Sequence, residues 1–149
     1  MTGWPEKWRP TVDKALNYLA LARKGGLAEL GEEPVGAITR TGKGYLVAVA
    51  SDASDHTWRR AKSFVAGTEQ QCVRLPFTKE EMGFAVGRSS LAIAAITDPA
   101  LAQALVAALG QPEKHKGVLE VLADKAEKAK KRRAEGKAHQ RNVRFGKKK

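Results

Sequence analysis

Six consecutive residues, Tyr45-Leu-Val-Ala-Val-Ala50, form an apolar run set between Gly42-Lys43-Gly44 and the polar cluster Ser51-Asp-Ala-Ser-Asp55. The run is short, rich in β-formers and shows no polar alternation, which predicts a strand covered on both faces rather than a helix or a half-solvated strand. A strand of that kind requires layers on either side of its sheet, so the chain is constrained to an α/β architecture. The cluster that follows sits at the strand's carboxyl end, where open α/β sheets usually place ligand sites, and Ser54 there suits a helix N-cap.

The remaining elements arrange themselves around this strand. Thr11 to Arg23 places apolar residues at Val12, Ala15, Leu16, Leu19, Ala20 and Ala22, a helical spacing stopped by Gly25-Gly26. Leu27 to Leu30 reads as an edge strand, and Gly31 turns the chain into a helix whose first turn carries Glu32, Glu33 and Pro34 and which ends near Thr41. Asp55 to Ala66 predicts a helix with Trp58, Ala61, Phe64 and Val65 on its packed side and Arg59, Arg60 and Lys62 outward. Cys72 to Phe77 is a further strand, and Thr78-Lys-Glu-Glu81 has the spacing of a capping box for a short helix ending near Gly87. Leu91 to Ile96 is a second wholly apolar strand, followed by the N-cap signal Thr97-Asp98-Pro99 and a helix reaching Leu109. The alternation predicts a three-layer α/β/α sandwich with largely right-handed crossovers, and the sheet expected is small, mixed and four-stranded.

The charge is distributed unevenly. Residues 1–110 hold 13 Lys and Arg against 11 Asp and Glu, whereas residues 111–149 hold 14 against 5, so nearly all of the net +11 belongs to the last segment. The organisation expected is an N-terminal segment (1–10), a domain (11–110) and a basic tail (111–149), in which Glu113 to Ala138 keep a narrow apolar stripe at Leu119, Leu122, Ala126 and Ala129, the pattern of a solvent-exposed or fold-on-binding helix, with disorder expected from Lys137. A basic tail on a nearly neutral domain points to a polyanionic partner, with Lys130, Lys131, Arg132 and Arg133 as its densest cations. One cysteine, Cys72, allows no intrachain disulfide, and no stretch has the apolar length of a signal peptide or membrane span, so a cytoplasmic protein is expected.

Catalytic signatures are weak. Asp52, Asp55 and His56 cluster after the first buried strand, but two of them suit a loop and a helix start, and His115 and His139 lie in the tail outside any ligand spacing. Gly83-Phe-Ala-Val-Gly87 lacks the Lys and Ser/Thr of a phosphate-cradling loop. The chain therefore reads as non-enzymatic, with no cofactor and no metal.

Five strings occur in order across residues 11–109: Leu21-Ala-Arg-Lys-Gly25, Leu30-Gly-Glu-Glu33, Val47-Ala-Val-Ala-Ser-Asp-Ala-Ser54, Phe77-Thr-Lys-Glu-Glu-Met-Gly83 with Gly87, and Ala94-Ala-Ile-Thr-Asp98. Together they resemble the ribosomal-protein family of kink-turn RNA binders, which includes the archaeal large-subunit protein seven-Ae and the eukaryotic protein thirty-e, and they are most similar to its bacterial YlxQ-type members. The resemblance implies a monomer that binds structured RNA, in the ribosome or its assembly, through three neighbouring loops. Those loops fall here on Gly31, Glu32 and Glu33, on Ser51 to Ser54 with Asp52, and on Gly87 to Ser90 with Arg88 and Ser89. Arg40 and Lys43 are expected to add phosphate contacts beside them.

One departure from the pattern is plain in the sequence. In the family the glycine is followed by an Asn-Glu pair and, three positions beyond the Glu, by a Lys. Those positions read Glu33, Pro34 and Ala37, so the amide that would pair with a base edge and the cation that would meet a phosphate are both missing. The alternative implied is a protein-interaction module that kept the fold and lost specific RNA recognition.

Overall fold

The computed structural model describes the backbone of residues 9–144 and the side chains of residues 14–136. Ten elements follow one another: α1 (Arg9–Lys24), β1 (Ala28–Leu30), α2 (Glu32–Arg40), β2 (Leu46–Val49), α3 (Asp55–Val65), β3 (Gln71–Arg74), α4 (Lys79–Ala85), β4 (Ile93–Ile96), α5 (Pro99–Ala108) and α6 (Lys116–Arg144). The expected segment 1–10 lies outside the described residues except for Arg9 and Pro10, which open α1.

The four strands lie in the order β1-β4-β2-β3, with β4 antiparallel to both β1 and β2, and β3 parallel to β2. The two apolar strands are thus the inner pair, and every residue of Leu46–Ala50 and Ile93–Ile96 is buried. α2 and α3 cover one face and contact β4, β2 and β3, while α1, α4 and α5 pack together on the other, which gives the three-layer α/β/α arrangement. Burying each of the larger aliphatic side chains contributes roughly 1.5–3 kcal/mol, so this inner pair is the centre of the fold's stability.

Local chemistry sets the helix boundaries. Ser54 accepts from the Thr57 N–H at the start of α3, and Asp98 accepts from the Leu101 N–H ahead of Pro99 in α5. Thr78 and Glu81 form the reciprocal capping box of α4, as their spacing predicts. The buried Gln70 amide joins two loops: its Oε1 accepts from the Gly44 N–H at 2.8 Å, and its Nε2 donates to the Thr39 carbonyl at 3.1 Å and to Thr68 Oγ1 at 3.2 Å. A buried amide with its partners filled fixes the end of α2 against the entry to β3.

Trp58 packs against the core from α3, as its place on the helix's packed side predicts; it is half-buried there, and the Arg74 guanidinium lies 4.7 Å from its ring centroid. One reading of the sequence is corrected: helix α6 continues to Arg144 instead of giving way to disorder at Lys137, consistent with the Ala, Glu, Lys, Arg and Gln content of its second half, all strong helix formers. Residues 145–149 lie outside the described residues.

The apolar stripe of α6 has a partner within the chain. Its first turns pack against α5, Val118 and Leu119 lie against the core, and Leu122 is 1% exposed. At the corner before it His115 is buried, its backbone N–H donating to the Gln111 carbonyl, and desolvation lowers the imidazole pKa so that the neutral ring is favoured. Among the described residues no helix is long and apolar enough to cross a membrane.

Leu122→Ala is expected to destabilise the protein by about 2–5 kcal/mol, since it opens a cavity between α6 and α5. Leu21→Ala, at a side chain 54% exposed, serves as the control and should change stability by about 0.5 kcal/mol or less. Chemical denaturation of both variants checks this, and equal effects would mean that α6 is not held against the domain.

Candidate functional site

The sheet register brings three turns to one end of the molecule. Strand β1 leaves the sheet at Leu30, opposite Ala94, and β2 leaves at Val49, opposite Ile93, where β4 enters. The carboxyl ends of two strands and the amino end of a third therefore coincide. Backbone bonds tie the turns together: Gly31 N–H to the Ile93 carbonyl at 3.0 Å, Ala50 N–H to the Ala92 carbonyl at 2.9 Å, and Ser51 N–H to the Phe77 carbonyl at 2.7 Å. The loops expected around Gly31, Ser51–Ser54 and Gly87–Ser90 thus lie at the same end of the sheet.

Gly31 is at φ 100°, ψ 161°, a region that essentially glycine alone adopts. It is also the N-cap of α2, and it carries no side chain to cap the helix. The helix start is followed by Glu32 and Glu33, whose N–H groups precede the first intrahelical bond, and by Pro34, which has none. Glu33, Pro34 and Ala37 are all exposed on α2, so the positions at which the sequence departs from the family pattern do face solvent.

Two carboxylates of this end are committed to holding it. Glu32 pairs with Arg60 Nε at 2.9 Å and accepts from Thr57 Oγ1 at 3.3 Å, which ties the first turn of α2 to α3. Asp52 accepts from the Lys79 N–H at 2.8 Å and so links the turn after β2 to the start of α4. Arg88 and Ser89 are exposed, and the Arg88 N–H is bonded to the Gly83 carbonyl at 2.8 Å. The third turn sits directly on α4: a methyl group at Gly83 would lie 2.7 Å from the Ser90 N and 2.8 Å from the Arg88 carbonyl oxygen.

Phe84 was not singled out by the sequence, yet it is 60% exposed beside the third turn, where its carbonyl accepts from the Gly87 N–H. A signal was available: at the spacing of α4 it falls on the side away from buried Met82.

Arg40 and Lys43 do not join the three turns, contrary to expectation. The nine residues of α2 carry the chain about 13 Å along the sheet, so Arg40 ends the helix and Lys43 follows at the opposite end, before β2 begins. The run Lys130, Lys131, Arg132 and Arg133 belongs to that opposite end as well. Lys125 of α6 pairs with Glu69, just ahead of β3, and the helix then carries the run onward past the sheet. The structure thus separates the expected site into two surfaces, one of backbone turns and one of cations.

The remaining candidates for chemistry are quiet. Burial pushes the Cys72 thiol up to about 11, so little thiolate exists near neutrality. Among the described residues no group of three His, Cys, Asp or Glu side chains is gathered as a metal site would need.

No protein-family model matches the chain, and no curated protein sequence does. Solved structures do resemble it. A Bacillus halodurans protein of unknown function is similar at 24% identity and a TM-score of 0.61, over 65% of this chain and 97% of the other. A 15.5 kD RNA-binding protein of Giardia lamblia is similar at 21% identity and a TM-score of 0.52, over 70% of this chain and 88% of the other. At these identities the likeness speaks to the fold.

Gly83→Ala is expected to destabilise the protein by about 1–3 kcal/mol, although alanine in a helix normally gains ~1 kcal/mol over glycine. The clash is with backbone atoms of the third turn, which cannot rotate away. Thermal denaturation checks the sign, and a stabilised variant would mean that the turn does not rest on α4.

Proposed function

We propose that this protein is a non-enzymatic RNA-binding protein, a monomer that uses its three-turn end to recognise structured RNA and its basic helix α6 to hold the phosphate backbone. The observation that carries this reading is the convergence of the three turns around an uncapped helix start. A glycine at φ 100° there lets another backbone approach, and it puts no capping side chain on the first-turn amides, which could then meet a phosphate or a base edge. Exposed Arg88 offers a phosphate contact, and exposed Phe84 offers a face for stacking. The Giardia protein of similar fold is described as RNA-binding, and two of the strings shared with the kink-turn binders, Leu30 to Glu33 and Val47 to Ser54, run into the first two turns, with Gly87 of a third string in the last.

Ribosomal RNA, in the ribosome or during its assembly in the cytoplasm, is the substrate class to which the family resemblance leads. Recognition of a kink-turn is weakened, because Glu33 presents a carboxylate where the family has an amide and Ala37 presents no cation. That same exposed stretch favours one other reading, a protein partner docked on the start of α2 in place of RNA.

The two contributions separate by salt. Neutralising Lys130, Lys131, Arg132 and Arg133 to Ala is expected to lower affinity for structured RNA and to flatten the slope of log affinity against log salt by about three units. An unchanged slope would remove the helix from the interface. Glu33→Asn with Ala37→Lys is expected to raise affinity for a kink-turn RNA by about tenfold while leaving a plain duplex of equal length nearly unaffected at the same salt. A gain on both RNAs alike would reflect added charge alone, and no gain on either would mean that the turn does not face RNA. If the wild type binds neither RNA at any salt, the protein-interaction reading replaces this one.

A further inference from the structure

At the end of the sheet opposite the three turns, a groove of about 240 Å³ lies between α6 and the loops that precede β2 and β3. Its walls combine a half-buried aromatic ring from Tyr45, the cations Lys125, Lys128 and Arg132, the Glu69 carboxylate, and chain at Gly42 and Thr68, the Thr68 hydroxyl being taken up by the Val65 carbonyl and by Gln70. The floor is fixed by the buried Gln70 amide, which binds both loops and holds them in register.

The cations reach the groove because they lie at i, i+3 and i+7 on α6, which puts them on one helix face. Lys125 is committed to Glu69, and its hydrogen bond and charge hold the Glu69 carboxyl below its usual range. Lys128 is held only by an exposed pair with Asp124 at 3.2 Å, and Arg132 has no ion-pair partner among the described residues. Two cations are therefore available to an incoming anion at the mouth, with an aromatic ring beside them. The volume falls below the roughly 300–1,000 Å³ of pockets that enclose a whole cofactor or drug-sized molecule, so the groove suits a single unit of a polymer whose neighbours run out into solvent. The polymer that repeats an anion and a flat ring is a single-stranded nucleic acid.

We propose that this groove holds one nucleotide of a single-stranded RNA segment, with its phosphate between Lys128 and Arg132 and its base against Tyr45. The inference rests on the RNA-binding reading but assigns a second contact, remote from the three turns. One protein would then grip a structured element at one end and a flanking single strand at the other.

The test uses the full chain, a labelled unstructured ten-nucleotide oligouridylate and a structured hairpin RNA, with anisotropy titrations at fixed salt. K128E/R132E reverses the groove cations. K130E/R133E makes the same charge change on residues that the helix turns away from the groove, at about 3.6 residues per turn. Expected is a loss of affinity for the single strand of about tenfold or more in K128E/R132E, several-fold larger than in K130E/R133E, with a lesser loss in Tyr45→Leu. Ultraviolet crosslinking of the bound oligouridylate should place the label on Tyr45. Equal losses in the two charge reversals, or a crosslink confined to Phe84 and its neighbours, would overturn the groove while leaving RNA binding in place. Wild-type protein that binds neither RNA would overturn the RNA-binding reading itself, and denaturation curves of each variant identify any loss that comes from unfolding.

Discussion

Burial of β2 and β4 on both faces governs what this molecule can do with its surface. A strand pair with no solvated side must be covered by two helical layers, here α2 with α3 and α1 with α4 and α5. The faces of the sheet are then closed to any ligand, and the edges are short strands of three and four residues. What remains open is the two ends, where strands give way to turns. Both candidate surfaces lie there, and neither required a change in the core.

The two ends are built from different material. At one, the groups on offer are mostly backbone: a glycine no other residue can replace, a helix start without a cap, and a turn seated so closely on Gly83 that it cannot shift. Its carboxylates Glu32 and Asp52 are engaged with Arg60 and the Lys79 N–H, so they shape the surface more than they charge it. Backbone of this kind reads shape and places hydrogen bonds. At the other end the groups are side chains on one long helix, and their effect is cationic and long-ranged, falling off over a Debye length of about 8 Å at physiological salt. Backbone turns and cationic side chains are thus physically separated along the strand direction.

Helix α6 links the two kinds of contribution. Its first turns belong to the packed structure through Val118, Leu119 and Leu122, while the part from Lys128 onward presents charge. Anchoring by a few apolar residues orients the basic run, so that its cations point in defined directions instead of sampling a sphere. Lys125 and Glu69 add a second tie where the helix passes the sheet, a surface pair whose own contribution to stability is small.

The sequence by itself determined the order and type of nearly every element, the capping box of α4, the caps Ser54 and Asp98, and the identity of the two inner strands. These are local signals: apolar runs, fixed-offset cap residues and glycines act over a few residues and leave their mark in the string. It also showed Gly31 as a turn and the last segment as basic. Tertiary structure alone decided which turns meet, since antiparallel pairing of β4 with β1 and β2 is a long-range choice that no local signal encodes. The same choice sent Arg40 and Lys43 to the end opposite Gly31, exposed Phe84 beside the third turn, brought Arg74 over the Trp58 ring, and put Gln70 under a groove with Tyr45 and α6. Each of those outcomes depends on where a helix crosses the sheet, a distance in space rather than along the chain.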